Sequence, residues 1–151
     1  MSIKRDDPYG NFNFLVDLGT GDTSTVVAGF QDVTGLGIEV TTAEYRNGNE
    51  PVNHVRKVNG MYKIGDVTLK RGLIGVLDLY QWIDETRRAM KSAMRSVTIH
   101  LRDEVGENDV MVWKLTRARP TKYTSPPMNA KGGTDVAIEE LVLTYEDLAL
   151  E

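Results

Sequence analysis

Residues Gly65–Met94, GDVTLKRGLIGVLDLYQWIDETRRAMKSAM, decide the fold, because the hydrophobic period changes inside them. Asp66–Arg71 alternates polar and apolar residues, the period of a half-buried strand. The spacing then lengthens. Leu79, Ile83, Thr86, Met90 and Ala93 recur every three or four residues, which predicts a helix over about 78–94 with one apolar face. Asp78 is placed to cap it, Gln81 to reach back as in a capping box, and Leu77 and Trp82 to form a hydrophobic staple. Acids gather early (Asp78, Asp84, Glu85) and bases late (Arg87, Arg88, Lys91, Arg95), as the macrodipole favours. No other segment reads as a helix, so a single helix must cover a flank of a β core.

Working outward, the N-terminal ten residues are polar and carry Pro8 and Gly10, which predicts an extended, mobile segment. Phe12–Leu18 alternates as a strand, Gly19–Ser24 is a turn cluster, and Val26–Val33 is expected to fold back as the second arm of a hairpin. Gly35 and Gly37 predict a bulge or sharp bend. Ile38–Tyr45 resumes the strand pattern. Arg46–Gly60 has little apolar content and two Asn-Gly pairs, so a long protruding hairpin or loop is expected over about 43–60. Beyond the helix, Val97–Leu101 and Val110–Thr116 form a hairpin across Glu104–Asp109, and Pro120 marks an edge or bulge. Ser125–Gly133 is loop, and Val136–Tyr145 is the last long strand. Seven or eight strands and one helix give a mainly β fold, an antiparallel β-sandwich or partly open barrel with one flanking helix.

The composition narrows the function. The 151 residues favour one domain with its own core. A formal net charge of −4 argues against a dedicated nucleic-acid binder. There is no cysteine, so disulfides and thiolate metal sites are excluded. No apolar run is long enough for a membrane-spanning helix, and the first residues lack the apolar core of a secretory signal, so synthesis in the cytoplasm is expected.

No catalytic constellation emerges. His54 and His100 lack metal-ligand spacing, and a solvated or hydrogen-bonded role outweighs ligation at each. Glu139 and Glu140 point to opposite faces of a strand and cannot act as a pair, so a structural role is favoured. Asp84 and Arg88 are spaced for a helix ion pair. Gly35-Leu36-Gly37 opens no helix and is no dinucleotide site. Arg87, Lys91 and Arg95 form a basic stripe, read first as a solvated face and second as a docking surface.

A binding logic remains. The polar arm is costly to order alone, at about 1–2 kcal/mol of backbone entropy per residue. Thr41, Thr42 and Glu44, and again Arg117, Arg119 and Lys122, put polar residues on both faces of their strands. A sheet lining an aqueous channel fits this, and cyclic pairing of copies would protect its edges. A monomeric sandwich with a solvated face, or a monomeric β-barrel carrier of a small molecule, is the competing reading.

The C-terminal half resembles a known family. Trp113–Leu148 reads WKLTRARPTKYTSPPMNAKGGTDVAIEELVLTYEDL and resembles the C-terminal signature of the contractile-phage tail tube family. The elements are Pro120–Tyr123, Asn129-Ala130, Val136–Glu139, Leu141, Leu143 and Glu146. Asp7-Pro8-Tyr9, Asn13-Phe14, Val33–Leu36 with Glu39, Lys70-Arg71-Gly72 and Trp82 are also family-like. The usual closing His-Glu is Tyr145-Glu146 here.

The resemblance implies a structural protein without catalysis or cofactor. Six-membered rings stack into the inner tube of a phage tail, bacteriocin-like particle or extracellular contractile injection system. It implies a surrounding sheath, baseplate, spike and terminator partners, and a protein effector or DNA in the lumen. Assembly would begin in a bacterial cytoplasm, without membrane insertion by this subunit, and end in a particle that is in some cases released. The N-terminal segment would help stacking. The arm would reach the adjacent ring through Glu44, Arg46, Asn47, Glu50, Asn53, His54, Arg56 and Lys57. The helix would face neighbours or sheath through Asp84, Arg87, Arg88, Lys91 and Arg95. A tube-initiator paralogue at the baseplate is a variant of the same reading.

Overall fold

One strand of sixteen residues, Asp109–Thr124, joins the two halves of a seven-stranded sheet and organises both. The computed structural model describes residues 5–19, 29–49, 51, 54–73, 75, 77–88, 93–133 and 135–151. In chain order the elements are β1 Phe14–Asp17, β2 Asp32–Thr34, β3 Ile38–Tyr45, β4 Arg56–Ile64, β5 Val67–Gly72, α1 Asp78–Arg87, β6 Arg95–Arg102, β7 Asp109–Thr124, β8 Ile138–Thr144 and β9 Asp147–Leu150. The N-terminal part of β7 lies between β6 and β9, with β1 beyond β6. Its C-terminal part pairs with β8, followed by β5 and β2. Every pairing is antiparallel. Among the described residues the terminal strands β1 and β2 do not pair with each other, so the described strands do not close a barrel. Arg117, at φ 54°, is a non-glycine residue in the left-handed region, and it sits where β7 passes from its pairing with β9 to its pairing with β8.

The core follows strand alternation. Val67 and Leu69 of β5, Val97 and Ile99 of β6, and Leu141 and Leu143 of β8 point inward and are buried. They join Val16, Leu115 and the helix residues Leu79 and Trp82 in one apolar cluster. Trp82 is fully buried, and its indole Nε1–H donates to the Ala93 carbonyl at 2.5 Å. The helix is thereby tied to its own exit, with the polar edge of the ring satisfied.

Several sequence expectations change. The described helix ends at Arg87, short of 94, with residues 89–92 outside the described residues. Leu77 is the N-cap residue and no side chain caps the helix. Asp78 instead turns to Arg71, because a buried guanidinium is a stronger partner than a backbone N–H. Leu77 is 63% exposed, so no staple forms with Trp82. Arg95 begins β6 and is not on the helix, so the predicted stripe of Arg87, Lys91 and Arg95 does not share one element. The expected hairpin between Phe12–Leu18 and Val26–Val33 falls in large part on residues 20–28, outside the described residues. β1 pairs with β6 and β2 with β5. Gly35, at φ +93°, turns the chain there, and a Cβ on it would lie 2.2 Å from the Asp66 carbonyl oxygen. The protruding hairpin or loop expected over about 43–60 is a hairpin, with β3 running to Tyr45 and β4 beginning at Arg56. The C-terminal Asp147–Leu150 adds a ninth strand.

Candidate assembly surface

Three features stand out on the described surface: the β3–β4 arm, the open seam between β1 and β2, and the outer face of α1. β3 and β4 form their own two-stranded sheet, apart from the seven-stranded one. Every residue of β3 is exposed, and so is all of β4 except Ile64. Yet Ile38, Val40, Tyr45, Val58, Met61 and Tyr62 are among the large apolar side chains left in solvent. An exposed set of this size on one element marks an interaction surface.

The predicted arm residues are placed as follows. Glu44 and Lys57 are cross-strand neighbours, and Arg56 faces Tyr45. Asn47 accepts a hydrogen bond from the Tyr45 hydroxyl. Arg46 and His54 are exposed on the loop between the strands. Glu50 and Asn53 lie outside the described residues. The arm therefore places Glu44, Arg56 and Lys57 near its tip and adds apolar residues that reading for charge alone missed. Alternation of Val40 and Val58 with polar neighbours was the available signal.

On α1, Asp84 pairs with Arg87 and, at 3.2 Å, with Arg88. The Arg87 hydrogen bond holds the Asp84 carboxyl below the usual carboxylate range. Lys91 lies outside the described residues. Arg95 stacks its guanidinium 4.8 Å from the Trp82 ring centroid and reaches Glu85 at 3.8 Å. Between α1 and β7 a groove is lined by Tyr80, Ile83, Thr86, Arg119 and Tyr123. The open seam between β1 and β2 is lined by Phe12, Phe14, Val33, Leu36, Leu101 and Trp113.

Beneath the helix lies a charged network that the sequence did not reveal. Arg71 and Glu139 are each about 1% exposed. Arg71 Nε donates to Glu139 Oε1 at 2.5 Å and Arg71 Nη1 to Asp78 Oδ2 at 3.1 Å. The Tyr123 hydroxyl donates to Glu139 Oε2 at 2.8 Å. Burial pushes the Arg71 guanidinium down, and the hydrogen bonds to Asp78 and Glu139 outweigh it. Burial, with the bond to Glu139, holds the Tyr123 phenol above its ordinary value. Asp78 is spent on Arg71 and Glu139 on Arg71 and Tyr123, so the network ties β5, β7, β8 and α1 together.

Residues 5–10 form neither helix nor strand. Arg5 anchors them, donating to the Pro8 carbonyl at 2.7 Å and to Glu104 Oε2 at 3.0 Å. His100 Nδ1 lies 3.0 Å from Asp109, a hydrogen-bonded histidine as expected. Among the described residues no group of three or more His, Asp or Glu side chains is placed to hold a metal. No helix there is long and apolar enough to cross a membrane.

An open sandwich that carries an apolar, solvent-exposed arm beyond its core is a subunit built for assembly. The chain belongs to the T4-like virus tail tube protein gp19 family, whose model matches residues 10–149. It is a structural tail tube protein. It is similar to a chain in the cryo-EM structure of an extracellular contractile injection system, the PVC sheath-tube complex in extended state. That likeness has TM-score 0.81 and 28% identity over 95% of this chain and 91% of that one. The PVC sheath/tube terminator structure gives 0.82 and 28% over 97% and 98%. The anti-feeding prophage cap, described as the AFP tube terminating cap, gives 0.83 and 25% over 100% and 95%. No curated protein matches.

Proposed function

We propose that this chain is the inner-tube subunit of a contractile injection machine. Six copies close into a ring, and rings stack into a hollow tube. A sheath surrounds it, and contraction drives it through a target envelope with a protein effector or DNA in the lumen. The family match over residues 10–149 carries this reading. The sheath-tube and terminator structures that this chain resembles support the contractile setting. The exposed arm supplies the physical motive, because its apolar side chains gain partners only in an assembly.

In this arrangement β3–β4 reaches the adjacent ring, with Glu44, Arg46, Asn47, Arg56 and Lys57 at its end. The segment at residues 5–10 supports the stack. The outer face of α1, with Arg87 and Arg88, looks toward neighbours or sheath.

Electron micrographs of the concentrated protein, with light scattering, test the proposal. Rings and tubes are expected. A particle that stays near 16.9 kDa at every concentration overturns it and returns the chain to the monomeric carrier reading.

A further inference from the structure

The register of the β3–β4 arm contains an irregularity with a consequence for how the arm is held. Ile38 faces Ile64 and Val40 faces Tyr62, but Thr42 faces Asn59, so β4 contains one residue more than β3 over this span. The bulge lies at Gly60-Met61, opposite Thr41, whose hydroxyl donates to the Met61 carbonyl. A Cβ at residue 60 would stand 2.9 Å from Thr41 Oγ1, which explains the glycine. An extra residue reverses the side on which the remaining side chains of β4 emerge.

The apolar pattern uses this reversal. At the base, Ile38, Val40, Tyr62 and Ile64 share one face, opposite the pair Glu39–Lys63. Along β3 the apolar residues then change parity, from Ile38 and Val40 to Ala43 and Tyr45. Along β4 they do not: Ile64, Tyr62 and Val58 are all even-numbered. Without the bulge Val58 would face away from Ala43. With it, Val58 lies across from Ala43, beside Tyr45, while Thr42, Glu44, Asn59 and Lys57 take the other face. The two strands change apolar side together.

We infer that the arm is a two-sided joint, gripped on one face at its base and on the opposite face at its tip by two different copies of this chain. The inference rests on the tube reading above. Charge favours self-copies as the occupants. Ile38–Ile64 holds three acids and four bases, whereas the rest of the chain holds nineteen acids and fourteen bases. A slightly basic arm therefore meets a markedly acidic body. A single neighbour lying along one side would cover an apolar base and a polar tip, or the reverse, and would leave half of the apolar set in water.

The absence of native cysteine makes the test clean. Single variants Val40→Cys, Val58→Cys, Thr42→Cys and Lys63→Cys are each mixed as a minor fraction into wild-type chain, assembled and pelleted. Maleimide labelling is then compared with that of soluble subunits. Labelling at positions 40 and 58 is expected to slow by about tenfold or more, and at 42 and 63 by less than about threefold, as for the core and rim of an interface. Exclusion of the Val40 or Val58 variant from the pellet also supports the joint. Exclusion of the Thr42 or Lys63 variant counts against it. Protection along one face, at 40 with 42 or at 58 with 63, overturns it, as does any other uncrossed pattern. Failure of wild-type chain to polymerise is a separate outcome, and overturns the tube reading itself.

Discussion

Arg71 and Glu139 lie directly opposite each other across β5 and β8, and both are buried. Each occupies the inward position that continues an apolar stripe, Val67-Leu69-Arg71 on one strand and Glu139-Leu141-Leu143 on the other. Breaking a buried pair leaves an uncompensated charge, at a cost of about 3–5 kcal/mol. Glu139→Leu or Arg71→Met alone is therefore expected to destabilise the subunit by that amount in denaturant unfolding. The double variant is expected to lose less than either single one, because both desolvation penalties vanish together. Additive losses would mean that the pair is not coupled.

Trp82 gives a second test of the same interface. Trp82→Phe keeps most of the apolar contact but leaves the buried Ala93 carbonyl without its donor. The expected cost is about 1–3 kcal/mol. Trp82→Ala adds a cavity and is expected to cost more, about 3–5 kcal/mol. Thermal and urea unfolding would rank the three proteins.

Much of this was legible, and the failures share a cause. The change of period between Leu69 and Leu79 located the helix, and alternation over Val97–Thr116 located the β6–β7 hairpin. Pro120 marked a true irregularity, since the β7–β8 register shifts between Pro120 and Lys122. These are local signals. What the sequence hid was partner choice. Alternation fixes which side of a strand is apolar but not which strand lies beside it, and nothing local in Asp32–Thr34 points to its pairing with β5. For the same reason Asp78 read as a cap and Glu139 as one of two adjacent acids, although both bind Arg71. β9 escaped because Asp147–Leu150 is four residues long and gains meaning only from its register with Trp113–Thr116.

Arg117 tests how β7 changes partners along its length. Its left-handed backbone costs an L-residue about 1–2 kcal/mol, which glycine does not incur. Its ion pair with Glu146, at 2.9 Å, has both side chains more than half exposed and adds little. Arg117→Gly is expected to be neutral or stabilising by up to about 1 kcal/mol, and Arg117→Val destabilising by about 1–2 kcal/mol. Melting temperatures in the reverse order would place the turn of β7 elsewhere.

The N-terminal anchor has a pH signature. The hydrogen bond from Arg5, with backbone N–H groups, lowers the Glu104 carboxyl from 4.5 to about 2. A depressed folded-state value means that the contribution is complete above 4.5 and is lost as pH falls through about 2. NMR titration of Glu104 is expected to show a midpoint of about 2 in the wild type and an upward shift toward 4.5 in Arg5→Ala. A wild-type midpoint already at 4.5 would show that the segment is not held by this pair.

The arm should be separable from the fold. None of Ile38–Tyr45 or Arg56–Ile64 belongs to the buried set of the core, and Tyr45–Arg56 is the last paired step before the loop. Replacing Arg46–Val55 by Asn-Gly would close the hairpin with a two-residue turn whose twist suits the strands. The shortened subunit is expected to melt close to wild type, because no core contact is lost. It is expected to stop short of long tubes in micrographs if, as proposed, the arm reaches the next ring. Tubes of normal length would show that the loop is dispensable for stacking. A large fall in melting temperature would show instead that the arm is part of the fold, and that its exposed apolar residues are covered by its own chain.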